Sequence, residues 1–392
     1  MAGLHGSFAP YFGRPTRRSW WLEADLDGSL LHALAGRRIC LFMTPLERLG
    51  VKIPIIQAPM AGVSTPTLAA AVSNSGGLGS IGVGATDAAG VRSMIEATRA
   101  RTDRAFNVNL FVHAPPREDK ARAQGWLDVL RPLFESYGAE PPSTLRTIYE
   151  SFPDNDEMLA MLIEVAPPVI SFHFGIPGAG PITALRAAGC LLLATATSPA
   201  EARLIEEAGI DMIVAQGWEA GGHRGMFDPE APDDQLGTMA LTRLLVRQST
   251  LPVIAAGGLM DGAGIKATLA LGAVAAQLGT AFIGCPESSA DADYRTVLAS
   301  VSAAHTMMTK AISGRPARCL ANRFTQWEAG EAQVPDYPVA YDAGKALHAA
   351  AKAAGESGFG AHWAGQGAPL SRSLGAAELV TLLWQEAREV ES

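Results

Sequence analysis

Residues 212–225 read Met-Ile-Val-Ala-Gln-Gly-Trp-Glu-Ala-Gly-Gly-His-Arg-Gly, and they join an apolar run to a glycine-rich turn. The first four residues form the kind of short apolar segment that fills a fully buried parallel strand. The glycines that follow allow the backbone to adopt positive φ or to approach a ligand closely. His223 lies between glycine pairs just beyond the strand, so it is a candidate functional residue at the rim of a pocket.

Short apolar runs of this kind recur along the chain and end in glycine or polar residues. We predict eight strands from them: 53–60, 78–82, 106–112, 169–175, 191–196, 212–217, 252–258 and 274–284. Most of the intervening segments are long enough for a helix, and helix start signals occur at Thr65-Pro66, Asp87 and Ser198-Pro199. Strand and helix alternating eight times predict an α/β fold, a (β/α)8 TIM barrel.

Two segments exceed a minimal barrel, and a leader precedes it. Residues 1–42 lack periodicity and are interpreted as a flexible N-terminal leader or an over-extended translation start. The barrel is expected over 43–301, with an insertion at 113–167 that carries Pro-Pro pairs and amphipathic stretches. From about residue 302 the alternation stops, and helices near 342–354 and 375–389 predict a C-terminal helical extension, 302–392, that covers the barrel mouth.

The amino-acid composition indicates a globular protein and argues against nucleic-acid binding and membrane insertion. The 392 residues are 48% hydrophobic and 18% charged, which is typical of a globular chain with a large core. The formal net charge of -8 argues against nucleic acid as a partner. No segment approaches the roughly 18 to 20 apolar residues of a membrane span. Four widely spaced cysteines without zinc spacing indicate reduced thiols in a cytoplasmic protein: Cys40, Cys190, Cys285 and Cys319.

Glycines lie where a TIM barrel commonly binds phosphate, beside the loops after strands seven and eight. Gly257 and Gly258 end strand seven, while Gly279 and Thr280 follow Gln277 in strand eight. Backbone N–H groups freed by glycine can hold a dianion without basic side chains. Tight barrel turns are the alternative explanation for these glycines.

Amide side chains occupy strand positions where an aliphatic residue would be the usual filling. They are Gln57, Asn109, Gln216 and Gln277, in or at the ends of strands one, three, six and eight. A buried amide needs hydrogen-bond partners, and the edge of an isoalloxazine ring offers alternating N–H and C=O groups. Structural amides that bridge neighbouring strands are the alternative.

Several motifs, in order along the chain, resemble the nitronate monooxygenase family, formerly called 2-nitropropane dioxygenase. They are IPIIQAPM at 53–60, VSNSGGLG at 72–79, NVNLF at 107–111, AQG and GGHRG within 215–225, and GTAF at 279–282. The likeness runs from about residue 44 to residue 370. The chain is most similar to class I of the family, whose substrate-site or signature residues correspond to Tyr149, His173, Tyr341, Lys345 and Trp363-Ala364-Gly365-Gln366.

The resemblance implies an FMN-dependent enzyme without a metal. Such an enzyme oxidises alkyl nitronates, typically propionate 3-nitronate, with O2 to a carbonyl compound and nitrite by single-electron transfer to the flavin. FMN would be bound by the amides and glycines Gln57, Asn109, Gln216, Gly221, Gly222, Gly257, Gly258, Gln277, Gly279 and Thr280.

The resemblance also assigns the substrate side of the site. His223 would face the flavin, either as a hydrogen-bond donor to the nitro oxygens or, for a neutral nitroalkane, as the base that removes the α-proton. A carboxylate-bearing nitronate would be bound from the mouth by Tyr149, His173, Tyr341 and Lys345.

Other functions remain open at this stage. A flavin-dependent enoyl-ACP reductase resembles the chain in the same barrel and in the Ala-Gly-Gly-His stretch, but it uses NAD(P)H. A non-catalytic flavin-binding module is a second alternative. A metal-dependent barrel hydrolase is disfavoured, because the strand ends carry amides and glycines instead of His, Asp and Glu clusters. The oligomeric state, monomer or homodimer, is also open.

Overall fold

The computed structural model describes residues 43–328, 330 and 332–390. The leader expected over residues 1–42, with Cys40, therefore lies outside the described residues. The strands, in chain order, are β1 Ile55–Gln57, β2 Gly79–Gly82, β3 Phe106–Phe111, β4 Val169–His173, β5 Leu191–Ala196, β6 Met212–Gln216, β7 Gly222–His223, β8 Val253–Ala256, β9 Ala275–Leu278, β10 Thr306–Thr309 and β11 Ala317–Leu320.

Eight of these strands form one parallel sheet in the order β1-β9-β8-β6-β5-β4-β3-β2. A parallel bridge between Ile56 and Leu78 joins its two edges, so the sheet closes on itself. Each of the eight strands lies within one of the segments predicted from the apolar runs, and the (β/α)8 TIM barrel is confirmed.

The helices, in chain order, are α1 Pro45–Arg48, α2 Pro66–Asn74, α3 Ala88–Arg99, α4 Lys120–Glu135, α5 Asp156–Val165, α6 Ala179–Ala187, α7 Pro199–Glu207, α8 Thr238–Gln248, α9 Gly262–Ala270, α10 Thr280–Ile283, α11 Ala292–Leu298, α12 Arg323–Gln326, α13 Val339–Ala353 and α14 Ala376–Glu389. The predicted start signals hold, because the side chains of Thr65, Asp87 and Ser198 each accept a hydrogen bond from the first turn of their helix.

The barrel interior is filled by aliphatic side chains from alternating strand positions. Ile56, Val169, Leu193 and Ile254 belong to this cluster and are fully buried. Leu46 of α1 belongs to the same cluster, so this short helix packs against the interior of the barrel. The filled interior makes the barrel a rigid support for the loops at its ends.

Helix α5, which lies within the predicted insertion at 113–167, packs on the barrel strands. Met158, Met161 and Leu162 of α5 lie in the same buried cluster as the strands β3 and β4. In contrast, α4 packs against α13 through a cluster that includes Trp126 and Leu347. An amphipathic period is the same for a helix of the ring and for a helix of an insertion, so the sequence pattern does not separate the two.

The predicted C-terminal extension divides in a similar way. Helix α14 packs against α9 and α2, and Leu379 and Leu383 lie in a buried cluster with Ile55 and Leu68. It therefore completes the ring of helices and does not cover the mouth. The extension is also not purely helical, because β10 and β11 form an antiparallel hairpin that the sequence did not indicate.

The cysteines, possible membrane spans and possible metal ligands considered in the sequence can be examined in the described residues. Cys190, Cys285 and Cys319 are buried and free. Among the described residues, no helix combines the length and the apolar character that a membrane span requires. The same residues contain no group of three or more His, Cys, Asp or Glu side chains arranged to hold a metal ion.

Candidate functional site

A cavity of about 430 Å³ opens at the carboxyl ends of the barrel strands. Its walls come from strand ends and from the C-terminal part of the chain, including α13. The predicted site residues that line it are Asn109, Tyr149, His173, Gln216, Gly221, Gly222, His223, Gly257, Gly258, Gln277, Gly279, Thr280, Tyr341 and Lys345. The fold thus brings together side chains and glycines that are more than 200 positions apart in the sequence.

Gln57 is the exception among the predicted site residues. It is fully buried, its Nε2 donates to Ser64 Oγ at 2.9 Å, and its Oε1 accepts from the backbone N–H of Ser80 at 2.9 Å. These bonds tie the end of β1 to β2 and to the loop after β1. The structural alternative raised for the four amides therefore accounts for Gln57, and its contact with a cofactor stays a prediction.

His223 is held through its backbone by two side chains. The Nε2 atoms of Gln216 and His173 donate to the backbone oxygen of His223 at 3.0 and 3.2 Å. His223 also lies on β7, which pairs with Ala317 and Arg318 of β11. The hairpin that the sequence did not indicate is therefore part of the support of this histidine.

His173 has both ring nitrogens engaged. Its Nε2 faces a carbonyl oxygen, so this nitrogen carries the proton, and its Nδ1 lies 3.1 Å from Thr195 Oγ1. The His173 ring lines the cavity, yet in this arrangement it mainly orients the backbone of His223.

Both histidines are neutral near pH 7. Burial, with the nearby His173, Arg315 and His113 side chains, lowers the pKa of His223 to about 3. Burial also lowers the pKa of His173 to about 4. A buried imidazolium would be poorly solvated, and Arg315 adds a positive charge close by.

Aromatic rings enclose the His223 side chain. The ring centroids of Tyr337, Trp363 and Phe174 lie 5.2, 5.1 and 5.6 Å from that of His223. Burial raises the pKa of Tyr149 and of Tyr341 to about 12, and that of Tyr337 well above the usual value for a phenol. All three phenols are therefore neutral and keep an O–H to donate.

Tyr337 was missed by the sequence reasoning. Its hydroxyl is buried and has no hydrogen-bond partner among the described residues, and its ring lines the cavity. A buried hydroxyl without a partner is costly unless a ligand supplies one. The signal that would have found it is the four-residue spacing of Tyr337, Tyr341 and Lys345.

Lys345 brings a positive charge to the mouth of the cavity. Its Nζ lies 5.3 Å from the ring centroids of both Tyr149 and Tyr341, and the side chain is exposed. In the described part of the chain, the lysines that form salt bridges are Lys310 and Lys352. The ammonium group of Lys345 is thus available to an anion that enters the cavity.

Glycines form a close-fitting part of the cavity wall. A Cβ at Gly221 would lie 2.5 Å from the backbone of Ala364 and Gly365, so a side chain there would displace the segment that follows Trp363. Gly257 and Gly258 have φ of +126° and +68°, which L-residues with a side chain rarely adopt. These glycines leave backbone groups accessible from the cavity.

Comparison with known proteins agrees with the resemblance seen in the motifs. Residues 44–386 match the family model described as nitronate monooxygenase. The chain is 60% identical over 347 residues to the nitronate monooxygenase of Paraburkholderia phytofirmans, covering 88% of this chain and 94% of that protein. It is 55% identical over 342 residues to that of Pseudomonas aeruginosa, covering 87% and 97%.

Two solved structures are similar to this chain over most of its length. Nitroalkane oxidase from Streptomyces ansochromogenes has a TM-score of 0.80 and 40% identity, covering 88% of this chain and 98% of that one. FabK from Thermotoga maritima has a TM-score of 0.65 and 28% identity, covering 88% and 96%. Because the family model spans most of the sequence and two curated relatives share more than half of their residues with it, the chain is an enzyme of the nitronate monooxygenase family.

Proposed function

We propose that this enzyme binds FMN at the carboxyl end of its barrel and uses O2 to oxidise alkyl nitronates, propionate 3-nitronate in particular, to a carbonyl compound and nitrite. The observation that carries the proposal is the ammonium of Lys345, which forms no salt bridge with any described residue and shares a cavity with neutral phenols and His223. This set of groups suits a small organic dianion, because one positive charge and several O–H donors face it.

The residues present fit FMN. A cavity of about 430 Å³ lies within the roughly 300–1,000 Å³ usual for ligand pockets. Gln277 is partly exposed on its wall, and Asn109 uses its Nδ2 on Ser171 at 2.9 Å, which leaves its Oδ1 to accept from a ring N–H. Bound there, FMN would supply the electron acceptor that nitronate oxidation requires.

The glycine-lined wall suits the phosphate of FMN. The backbone at Gly257 and Gly258 adopts positive φ, and the exposed backbone groups of such turns bind phosphate without basic side chains. Gly279 and Thr280 line the same cavity, and a Cβ at Gly279 would lie in ordinary contact with Ala58 Cβ at 3.4 Å.

The chain's own residues then account for substrate binding. The phenols of Tyr337 and Tyr341 are expected to donate to the nitronate oxygens, and Lys345 is expected to bind a carboxylate at the mouth. Trp363 and Phe174 pack around His223 and exclude water from the reacting end of the cavity. Exclusion of water strengthens each of these polar contacts.

An NAD(P)H-dependent reductase is the second candidate, because the FabK structure shares the fold. The two candidates differ in the reductant that the purified enzyme consumes. In air-saturated buffer with propionate 3-nitronate, we expect O2 consumption and nitrite release without any added NADH. NADH oxidation that depends on an enoyl thioester, with no nitrite formed from the nitronate, would reject the proposed function in favour of the reductase.

A further inference from the structure

Among the described residues, the His223 ring makes one side-chain hydrogen bond, to a serine on the loop between β10 and β11. Ser313 is fully buried, and its Oγ lies 2.9 Å from His223 Nε2. The same Oγ donates to the backbone oxygen of Arg315 at 3.3 Å. A hydroxyl has a single hydrogen, so Ser313 accepts from an Nε2–H when it donates to Arg315.

The alternative arrangement would leave a buried acceptor without a donor. If Ser313 turned its hydrogen toward His223, the Arg315 carbonyl would lose the donor that it has among the described residues. An unsatisfied buried carbonyl is more costly than a rotated hydroxyl. Of the two neutral tautomers, the geometry therefore favours the one protonated at Nε2.

The rest of the surroundings keep the ring in this orientation. His173 and Gln216 fix the backbone oxygen of His223, and the rings of Phe174 and Tyr337 pack around its imidazole. The hydrogen bond that the ring makes with the described residues is at Nε2, and Nδ1 has no partner among them. It is thus the ring nitrogen left for a ligand.

We propose that Ser313 is a positioning residue that holds His223 as the Nε2–H tautomer, so that Nδ1 meets the substrate as a hydrogen-bond acceptor. This inference rests on the proposed function, and it decides between the two roles left open for His223. A bare nitrogen repels the oxygens of a nitronate, so it does not serve as their donor. It is suited to take the α-proton of a neutral nitroalkane.

The proton transfer balances without a further reactant. The α-carbon–hydrogen bond breaks, and the proton forms an N–H bond at Nδ1. The electron pair left on carbon forms the C=N bond of the nitronate while the N=O π pair moves onto a nitro oxygen, which carries the negative charge. His223 becomes an imidazolium beside the new anion, and Tyr337 and Tyr341 donate to the nitronate oxygens. A preformed nitronate skips this step, so its oxidation does not need a base at Nδ1.

The tautomer can be measured directly on the flavin-loaded enzyme labelled with ¹⁵N-histidine. We expect the ¹⁵N shifts of His223, assigned by loss of its signals in His223→Asn, to show a protonated Nε2 and a bare Nδ1. In Ser313→Ala the populations of the two tautomers should become mixed. A protonated Nδ1 in the wild type would overturn the inference, even if Ser313→Ala fails to fold.

Kinetics give a second readout. The substitution Ser313→Ala removes one neutral hydrogen bond to His223. We expect it to lower kcat on neutral nitroalkanes about three- to tenfold and to leave kcat on preformed nitronates within about twofold. Ser73→Ala is the matched control, because Ser73 is also buried and donates to Ala105 O at 2.8 Å, outside the cavity. Equal losses on both substrates would reject the positioning role.

The two proposals fail in different ways. If the wild type releases no nitrite from any nitronate, the proposed function is wrong, while the NMR shifts still test the tautomer. If the wild type is active and the shifts show a protonated Nδ1, only the inference about Ser313 is wrong.

Discussion

Replacing Lys345 with methionine is expected to weaken the binding of nitronates that carry a carboxylate. The change keeps the length of the side chain and much of its contact with Tyr149 and Tyr341, whose ring centroids lie 5.3 Å from Nζ. It removes the charge of a lysine that has no salt bridge in the described part of the chain. The effect therefore reports on the substrate anion and not on a lost internal ion pair.

The magnitude follows from the exposure of the side chain. A charge-assisted hydrogen bond contributes about 1.5–3 kcal/mol. Lys345 is exposed in the empty cavity, so solvent screening places the expected loss at the lower end, about 1.5–2 kcal/mol. At 1.36 kcal/mol per factor of ten, this corresponds to a KM for propionate 3-nitronate that is about 10- to 30-fold higher.

The assay compares initial rates of O2 consumption on propionate 3-nitronate and on ethyl nitronate, which lacks the carboxylate. We expect kcat to change little, KM for ethyl nitronate to stay within about twofold, and Lys345→Arg to retain most of the discrimination. Lys352→Met is the matched control on the same helix, because Lys352 already pairs with Asp291 Oδ2 at 2.5 Å. An unchanged ratio of KM values in Lys345→Met, or an equal change in Lys352→Met, would refute the assignment.

Three further predictions test the histidines and the glycine wall. His223→Asn should lower turnover of neutral nitroalkanes about 100-fold or more and that of preformed nitronates far less, and equal losses in an O2 assay would reject a base role. Burial lowers the pKa of His173 from 6.5 to about 4. As the pH falls from about 6.5 to 4, His173 is therefore protonated in the unfolded chain but not in the folded protein, and the free energy of unfolding decreases. The free energy of unfolding should be about 2 kcal/mol lower at pH 5 than at pH 8. Urea unfolding at the two pH values should show a smaller difference in His173→Gln than in the wild type, and an identical difference would contradict this prediction. Gly221→Ala places a Cβ 2.5 Å from the backbone of Ala364, so it should lower the flavin content of the purified protein, whereas Gly180→Ala, with no atom within 4 Å of its added Cβ, should not.

The barrel was predictable because parallel strands covered on both faces carry continuous apolar runs. Those runs and the cap residues Thr65, Asp87 and Ser198 are local signals, and they depend little on the rest of the chain. The surfaces against which α5 and α14 pack could not be predicted, because they are formed by residues distant in the sequence. Helix α14 closes the ring about 100 residues after β9, and its amphipathic pattern does not specify which surface it covers.

The candidate site was predictable where glycines and polar residues follow a strand. An amide in a strand looks the same in the sequence whether it bridges strands, as Gln57 does, or faces a cavity, as Gln277 does. Ser313 was not found, because it lies in a loop without periodicity and reaches His223 only through the fold. Tyr337 lies in the turn before α13, and its spacing from Tyr341 is the one local signal that pointed to it. The strands β10 and β11 are as long as β8 and β9, but their sequences, TMMT and ARCL, mix polar and apolar residues and lie outside the apolar runs that marked the barrel strands.

A flavin bound in the cavity is expected to take electrons from a nitronate, and an anaerobic titration measures this transfer. The purified enzyme, with FMN added if needed, is placed under argon, and its visible spectrum is followed as propionate 3-nitronate is added; a second sample receives NADH. We expect a yellow protein whose flavin absorbance is bleached by the nitronate and not by NADH. A colourless protein that does not bind added FMN, or a flavin that only NADH reduces, would contradict it.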